Sequence, residues 1–431
     1  MKLFAEYYFY PVGQGMFSSG ALGTRFFGEF HWVFDCGSVK KNQSLLENEI
    51  RRLELLLSRT ALRSKPKLDV TFISHFDVDH ISGLVKLLNS FDVDTLVIPY
   101  VPLWQRIVAT ITSPQADNQR FQHFMMNPVS FIGSLDGAKV RRIVLVPPSA
   151  GSLPDDPDDI VRDPPSPLGG LPPLEPDRII APADEQIALT ADRPTNISIS
   201  CLAPGGRLLL GKVWEFVLYN EPNLNIKATA HFKLAARRVS TALLQTNDPD
   251  QRDRILKRLK RMYDRIFGST STKKNEISLF VYGGPVGRYL AQYRGAKDDI
   301  SRARTGYNHF KFWHCPICVN HLPVKVDDTA NILYTGDGYL SSKQRVRKLR
   351  EYFGARRLEN LAVFQVMHHG SLRNWRKGIA AEFQPETSIF CADPSYSYGH
   401  PNRTVWDDFE PYGAKLVNRV GVLRFYRLKL L

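Results

Sequence analysis

Between Ser74 and His80 the chain reads Ser-His-Phe-Asp-Val-Asp-His, so that His75, Asp77, Asp79 and His80 place four metal-ligating side chains within six positions, directly after the apolar run 70–73. Carboxylates and imidazoles packed this tightly repel one another or waste burial unless a cation sits among them. Alternation out of a strand end points His75 and Asp77 the same way, and the adjacent Asp79-His80 pair can turn toward a second point nearby. That is what a hydrolytic site with two ions roughly 3.5–4 Å apart requires. With 11 histidines in 431 residues, a polar loop carrying two incidental histidines is the poorer reading.

The motif resembles the His-x-His-x-Asp-His signature of the metallo-β-lactamase superfamily, and further matches follow in order. Asp35 ends the apolar Trp-Val-Phe run ahead of Cys36-Gly37. Thr335-Gly336-Asp337 follows Ile332-Leu-Tyr334 and resembles the strand-end aspartate that bridges both ions. Val366-Met-His368-His369-Gly370-Ser371 and Gly399-His400-Pro401 complete the set. Together with Val12-Gly13-Gln14-Gly15, these elements resemble the branch that contains the hydrolase domain of the bacterial competence-system DNA-uptake channel protein. The likeness runs from residue 3 to about residue 430. It implies an α/β fold, the four-layer αββα sandwich with insertions, over a single domain 1–431. Two positions depart from the pattern: Asp77 stands where the superfamily has its second histidine, and Met16 replaces an acid. His231 and His309 are the candidates for the mid-chain histidine that many members use.

By that resemblance His75 and Asp77 hold one ion, Asp79, His80 and a later histidine hold the other, and Asp337 bridges. We expect His368 to be the later ligand and His369 to meet substrate as a proton donor or phosphate contact, with the reverse assignment open. Asp79 orients the nucleophile as well as binding metal. His400 is a ligand or a phosphate-binding group, and Ser371, Arg373, Asn374 and Lys377 are further phosphate contacts. An added carboxylate favours harder ions, so Mn²⁺ or Mg²⁺ competes with Zn²⁺.

Composition sets the remaining bounds. The chain carries 57 basic against 43 acidic residues, a net charge of +14, which favours anionic partners, nucleic acid foremost. No apolar stretch approaches the 18 or more residues of a membrane span. Five scattered cysteines make no disulfide framework, which fits a reducing cytoplasm. Apolar spacing predicts a helix over 42–63, strands over 70–74 and 95–99, and helices over 248–267 and 341–353 whose opposite faces are basic. Prolines crowd 147–187, predicting an insertion without a core of its own. Residues 205–275 read as a helical insertion. Cys315, Cys318 and His321 form a second cluster that could bind structural zinc, although a second ligand pair is not evident.

The sequence therefore predicts a metal-dependent hydrolase with two divalent ions. Its expected chemistry is phosphodiester cleavage of nucleic acid, DNA in particular, in antiviral defence or DNA processing. Hydrolysis of a small molecule (a cyclic nucleotide, lactone or thioester) is the alternative, and a non-catalytic nucleic-acid-binding subunit is the third reading. Protein partners stay open.

Overall fold

The computed structural model describes residues 2–24, 29–58, 65–112, 118–149, 153, 171–180, 196–211, 213–221, 229–246, 248–267, 278–286, 319–321, 325–326, 330–359 and 361–430. Cys315, Cys318 and His309 lie outside them, as does most of 147–187.

Nineteen strands among the described residues form two sheets. The first half supplies β1 (Lys2–Phe9), β2 (Phe17–Thr24), β3 (Phe30–Cys36), β4 (Lys67–Phe72), β5 (Asp92–Pro99) and β6 (Lys139–Val146). The middle supplies β7 (Leu174–Pro176), β8 (Ile179–Ile180), β9 (Ser198–Leu202), β10 (Arg207–Leu210), β11 (Trp214–Asn220) and β12 (Leu279–Pro285). Then come β13 (Val319–His321), β14 (Lys325–Val326), β15 (Ile332–Tyr334), β16 (Val363–Gln365), β17 (Thr387–Cys391), β18 (Ala414–Val417) and β19 (Val422–Leu430). The first sheet runs β13-β19-β1-β2-β3-β4-β5-β6-β9-β8, with β14 also on β19; the second runs β18-β17-β16-β15-β12-β11-β10-β7. Both are mixed: β3, β4, β5, β6 and β9 are parallel neighbours, as are β15 to β18.

Where the sheets face each other, apolar side chains from alternate positions interlock. Trp32, Phe34, Phe72, Trp214, Phe216 and Tyr334 are all fully buried in one cluster drawn from both sheets. Phe34 stacks on Tyr334 at 4.3 Å, and Trp32 meets Phe216 edge-on at 5.5 Å. Burying each such ring contributes about 1.5–3 kcal/mol. The outer face of the first sheet is covered by the helices Gln43–Ser58 and Leu84–Ser90. In the former, Leu46, Ile50, Leu53 and Leu57 make the buried stripe. Helices Lys343–Phe353, Ile379–Phe383 and Arg403–Phe409 cover the second sheet. The layers are α, β, β, α, the sandwich expected.

One segment differs from expectation. The stretch 205–275 is not helical throughout: it opens with β10 and β11, whose residues are almost wholly buried, and turns helical at Ala230–Gln245 and Pro249–Phe267. Apart from Glu215, residues 213–219 are too evenly hydrophobic to show a strand period, which is typical of a strand covered on both faces. Within the Pro-rich 147–187, residues 174–180 add an edge strand to each sheet. Glu215 anchors this edge from the core. It pairs with Arg357 at 2.7 Å and Arg207 at 2.9 Å, and Arg207 in turn reaches Asp177 at 3.1 Å.

The two predicted basic helices are present as Pro249–Phe267 and Lys343–Phe353. Helices Ala230–Gln245 and Pro249–Phe267 pack on Leu103–Thr112 through Phe232, Ala236, Leu256, Leu259 and Ile107. Helix Leu103–Thr112 leaves the C-terminal end of β5, which is parallel to β4, so the insertion is attached at the end of the sheet where His75 emerges. Among the described residues, no helix is long and apolar enough to cross a membrane.

Candidate metal centre

Parallel pairing gathers the site. Because β3 and β4 run together, Asp35 near the end of one and Ser74-His75 just past the other arrive at the same edge. Because β15, β16 and β17 run together, Asp337, His368-His369 and Cys391 arrive at one edge of the second sheet. A backbone bond from Leu279 N to Ser74 O, 2.8 Å, ties the two edges.

Asp337 stands at the centre, and its two oxygens sort the imidazoles. Oδ2 lies 3.6 Å from His75 Nε2 and 3.4 Å from His368 Nε2; Oδ1 lies 3.1 Å from His80 Nε2 and 3.8 Å from His369 Nε2. Asp77 Oδ2 joins the first set at 3.7 Å from His75 Nε2, and Asp79 Oδ2 joins the second at 3.4 Å from His369 Nε2. Two compact triads of ligand atoms result, His75-His80-Asp337 and Asp79-His80-His369. His75, Asp79, His80, Asp337 and His369 are thus brought together, with Asp77 and His368 beside them and His400 farther out. The structure sets His369, the more buried of the pair, beside Asp79; His368, with a side chain 32% exposed, sits on the other side of Asp337.

The atoms aimed inward lack partners. His75 Nε2, His80 Nε2, His369 Nε2 and Asp337 Oδ1 are buried with no hydrogen bond, the 3.1 Å approach of His80 to Asp337 being misaligned for one. Four such orphans at one point are costly unless a cation meets them. The donor set, imidazole and carboxylate, suits divalent Zn²⁺ or Mn²⁺.

The far sides of the rings are tethered, as metal-binding imidazoles are. His75 Nδ1 meets Ser74 Oγ at 2.8 Å, His80 Nδ1 meets Asp35 Oδ2 at 2.7 Å, His368 Nδ1 meets Asn374 Oδ1 at 2.9 Å, and His369 Nδ1 meets the Cys391 carbonyl at 2.5 Å. Each tether leaves Nε2 facing the centre. Asp35 also accepts from Ser74 N at 2.7 Å and Ser74 Oγ at 2.6 Å. Asn374 donates to the Asp337 and Gly338 carbonyls, and Gln365 Oε1 takes the Thr335 and Gly336 amides at 2.8 Å. Asp35, His368 and His369 all have positive φ, 54°, 46° and 56°. Such conformations cost on the order of 1–3 kcal/mol each and persist where surrounding contacts fix them.

Charge balance follows from this geometry. Burial, then the neighbouring His80, lowers the His75 pKa to about 4. Burial opposes protonation of His80, but Asp337 and Asp35 outweigh it and raise its pKa well above the usual value. His369 is raised for the same kind of reason, by the neighbouring carboxylates of Asp79 and Asp337 acting against burial. Burial would raise both acids, yet His369 and His80 hold Asp79 down at about 2, and His368, His80 and His75 hold Asp337 well below the carboxylate range.

The expected phosphate contacts fall out differently. His400 is half-buried, its ring edge-on to His368 at 5.8 Å and its Nδ1 buried without a partner. Burial, then His369 and His368, lowers its pKa to about 4. Arg373 and Lys377 are exposed. Ser371 is buried, with Oγ on the Arg373 amide at 3.3 Å. Asn374 is a correction: it is fully buried and positions His368, since the turn after Gly370 folds inward. His231 is exposed at the start of helix Ala230–Gln245 and belongs to neither ligand group. His321 lies in β13, while its cysteine companions lie outside the described residues. Sequence reading singled out Asp35 as a motif position without this role, and missed the tethers Ser74, Gln365 and the Cys391 carbonyl. An acid closing an apolar strand was the one signal for Asp35; a backbone carbonyl leaves none.

What the fold and site define is a class, an αββα sandwich with a His/Asp centre at the strand ends. No family model matches the chain, and no curated protein matches it. Among solved structures a long-form RNase Z from yeast aligns with 10% identity and a TM-score of 0.28, covering 84% of this chain and 32% of that one. The chain thus spans about a third of that protein's length, and so loose a likeness carries no argument about activity.

Proposed function

We propose that this protein is a metal-dependent phosphodiesterase, a nuclease acting on DNA, built as one hydrolase domain over residues 1–431. The observation that carries this reading is the set of four orphaned, buried ligand atoms, Asp337 Oδ1 and the Nε2 of three imidazoles that are each tethered from behind. One ion would be held by His75, Asp77 and His368, the other by Asp79, His80 and His369, with Asp337 between them. Such ions supply an acidified water and neutralise charge on phosphate oxygens.

The chain's own residues do the rest. Asp79, ionised at neutral pH, orients the attacking water while it holds its ion. His400, neutral at pH 7, contacts the phosphate beside His368. The reaction adds water across the P–O bond: the hydroxyl goes to phosphorus and the proton to the departing sugar oxygen. The basic face of helix Pro249–Phe267, fixed at the site end of the sheet, tracks the strand's phosphates. A net charge of +14 and the resemblance to the competence-type branch favour DNA.

Labelled DNA incubated with the purified protein and Mn²⁺, Mg²⁺ or Zn²⁺ tests the reading. Cleavage that disappears in Asp79→Ala and Asp337→Ala, with about two ions per chain by elemental analysis, is expected. DNA binding should weaken steeply with salt. Absence of cleavage with all three ions, or cleavage untouched by both substitutions, refutes the proposal.

A further inference from the structure

The segment between β17 and the helix Arg403–Phe409 is a scaffolded loop that carries an exposed aromatic to the rim of the metal centre. Asp393 Oδ1 caps the turn by accepting from Ser395 N at 3.0 Å and Ser395 Oγ at 2.6 Å, and Tyr396 N donates to Asp393 O. From β18–β19, Arg419 grips Asp393 Oδ2 through Nε at 2.8 Å and Nη2 at 2.6 Å, and reaches Ser395 Oγ at 3.0 Å. Lys41 stands over the Tyr396 ring, 4.3 Å from its centre. All this fastening leaves Tyr398 59% exposed. Its ring is edge-on to Tyr396 at 4.8 Å and 6.1 Å from the His400 ring, which itself touches His368. Burial, Tyr396, Asp79 and Asp77 all raise the Tyr398 phenol pKa, which places the site's carboxylates within its electrostatic reach.

The Tyr398 hydroxyl is bonded to Tyr396, and its exposed ring stands at the rim of the site beside His400. The next group along a phosphodiester from the phosphate is a nucleoside. We propose that Tyr398, backed by Tyr396, is a stacking platform for an unpaired nucleobase flanking the scissile phosphate. This inference deepens the phosphodiesterase reading and names its substrate as single-stranded nucleic acid. Every base has a π-face, so the platform accepts any base but does not reach one paired within a duplex. Lys41, on the Tyr396 ring, supplies a cation for the adjoining phosphate.

Equilibrium binding separates stacking from catalysis. A fluorescein-labelled oligothymidylate and an abasic oligomer of the same length would be titrated, without added metal, into wild type, Tyr398→Ala, Tyr398→Phe and Tyr398→Trp. Tyr398→Ala should weaken oligothymidylate binding roughly tenfold and leave abasic binding unchanged, which also shows that the variant is folded. Phe and Trp should restore the affinity. Equal affinity of wild type for the two oligomers, or the same loss on both in Tyr398→Ala, overturns the platform. Base-dependent binding with no cleavage under any ion upholds the platform and overturns the hydrolase reading alone.

Discussion

Replacing Asp35 by Asn tests whether the tethers set the metal affinity. The position has φ 54°, a conformation Asn adopts more readily than any other residue apart from glycine, so the backbone is undisturbed; Ala would add strain of its own. Asp35 is fully buried and accepts three hydrogen bonds, from Ser74 N, Ser74 Oγ and His80 Nδ1. An amide keeps only one acceptor atom. If its oxygen stays on Ser74 N, its NH₂ faces His80 Nδ1, which must then give up its proton and carry it on Nε2. That nitrogen is the one aimed at the metal. Alternatively His80 keeps its tautomer and confronts a donor with a donor. A bond to a charged acceptor contributes about 1.5–3 kcal/mol, so metal affinity should fall roughly 10- to 150-fold, overlapping the range for outer partners of metal-binding histidines. Isothermal titration of the stripped protein with Mn²⁺ or Zn²⁺ reads this directly, with circular dichroism as the check on folding. A dissociation constant within threefold of wild type would refute the idea that Asp35 orients His80.

Asn374→Ala frees His368 Nδ1 and two carbonyls, and should cost about tenfold in metal affinity or turnover; unchanged values on titration and assay would count against it. Glu215→Ala leaves Arg357 uncompensated in the core and Arg207 with Asp177 alone, and should destabilise by about 3–5 kcal/mol in guanidinium melts while metal affinity holds, since this ion-pair network lies apart from the ligands. Metal-free protein should lose stability as pH falls from about 6.5 toward 4: His75 and His400, held at about 4, take up protons only in the unfolded chain across that window. His80 and His369, both raised, act on the opposite limb and lose their contribution as pH rises above their own values. Denaturation midpoints at pH 7 and pH 5 in chelator check the acid limb, which His75→Gln should flatten; a midpoint that rises on acidification would contradict the assignment.

The sequence by itself determined the ligand types and most of the elements. His75, Asp77, Asp79 and His80 are local, so spacing alone announces them, and the 3.6-residue stripe of Leu46, Ile50, Leu53 and Leu57 fixes its helix. Only the tertiary structure decided what lies across the site, because those relations depend on sheet pairing between distant strands. The apportioning of four histidines between the two oxygens of Asp337, the inward turn of Asn374 and the clamp of Asp35 on His80 arise where β3 and β4 end beside β15, β16 and β17. The strands β10 and β11 are hidden from sequence reading for a related reason: covered on both faces, they are apolar at most positions and lose the alternation that would mark them. Local chemistry is written in neighbouring residues, whereas orientation belongs to the packing that brings remote ones together.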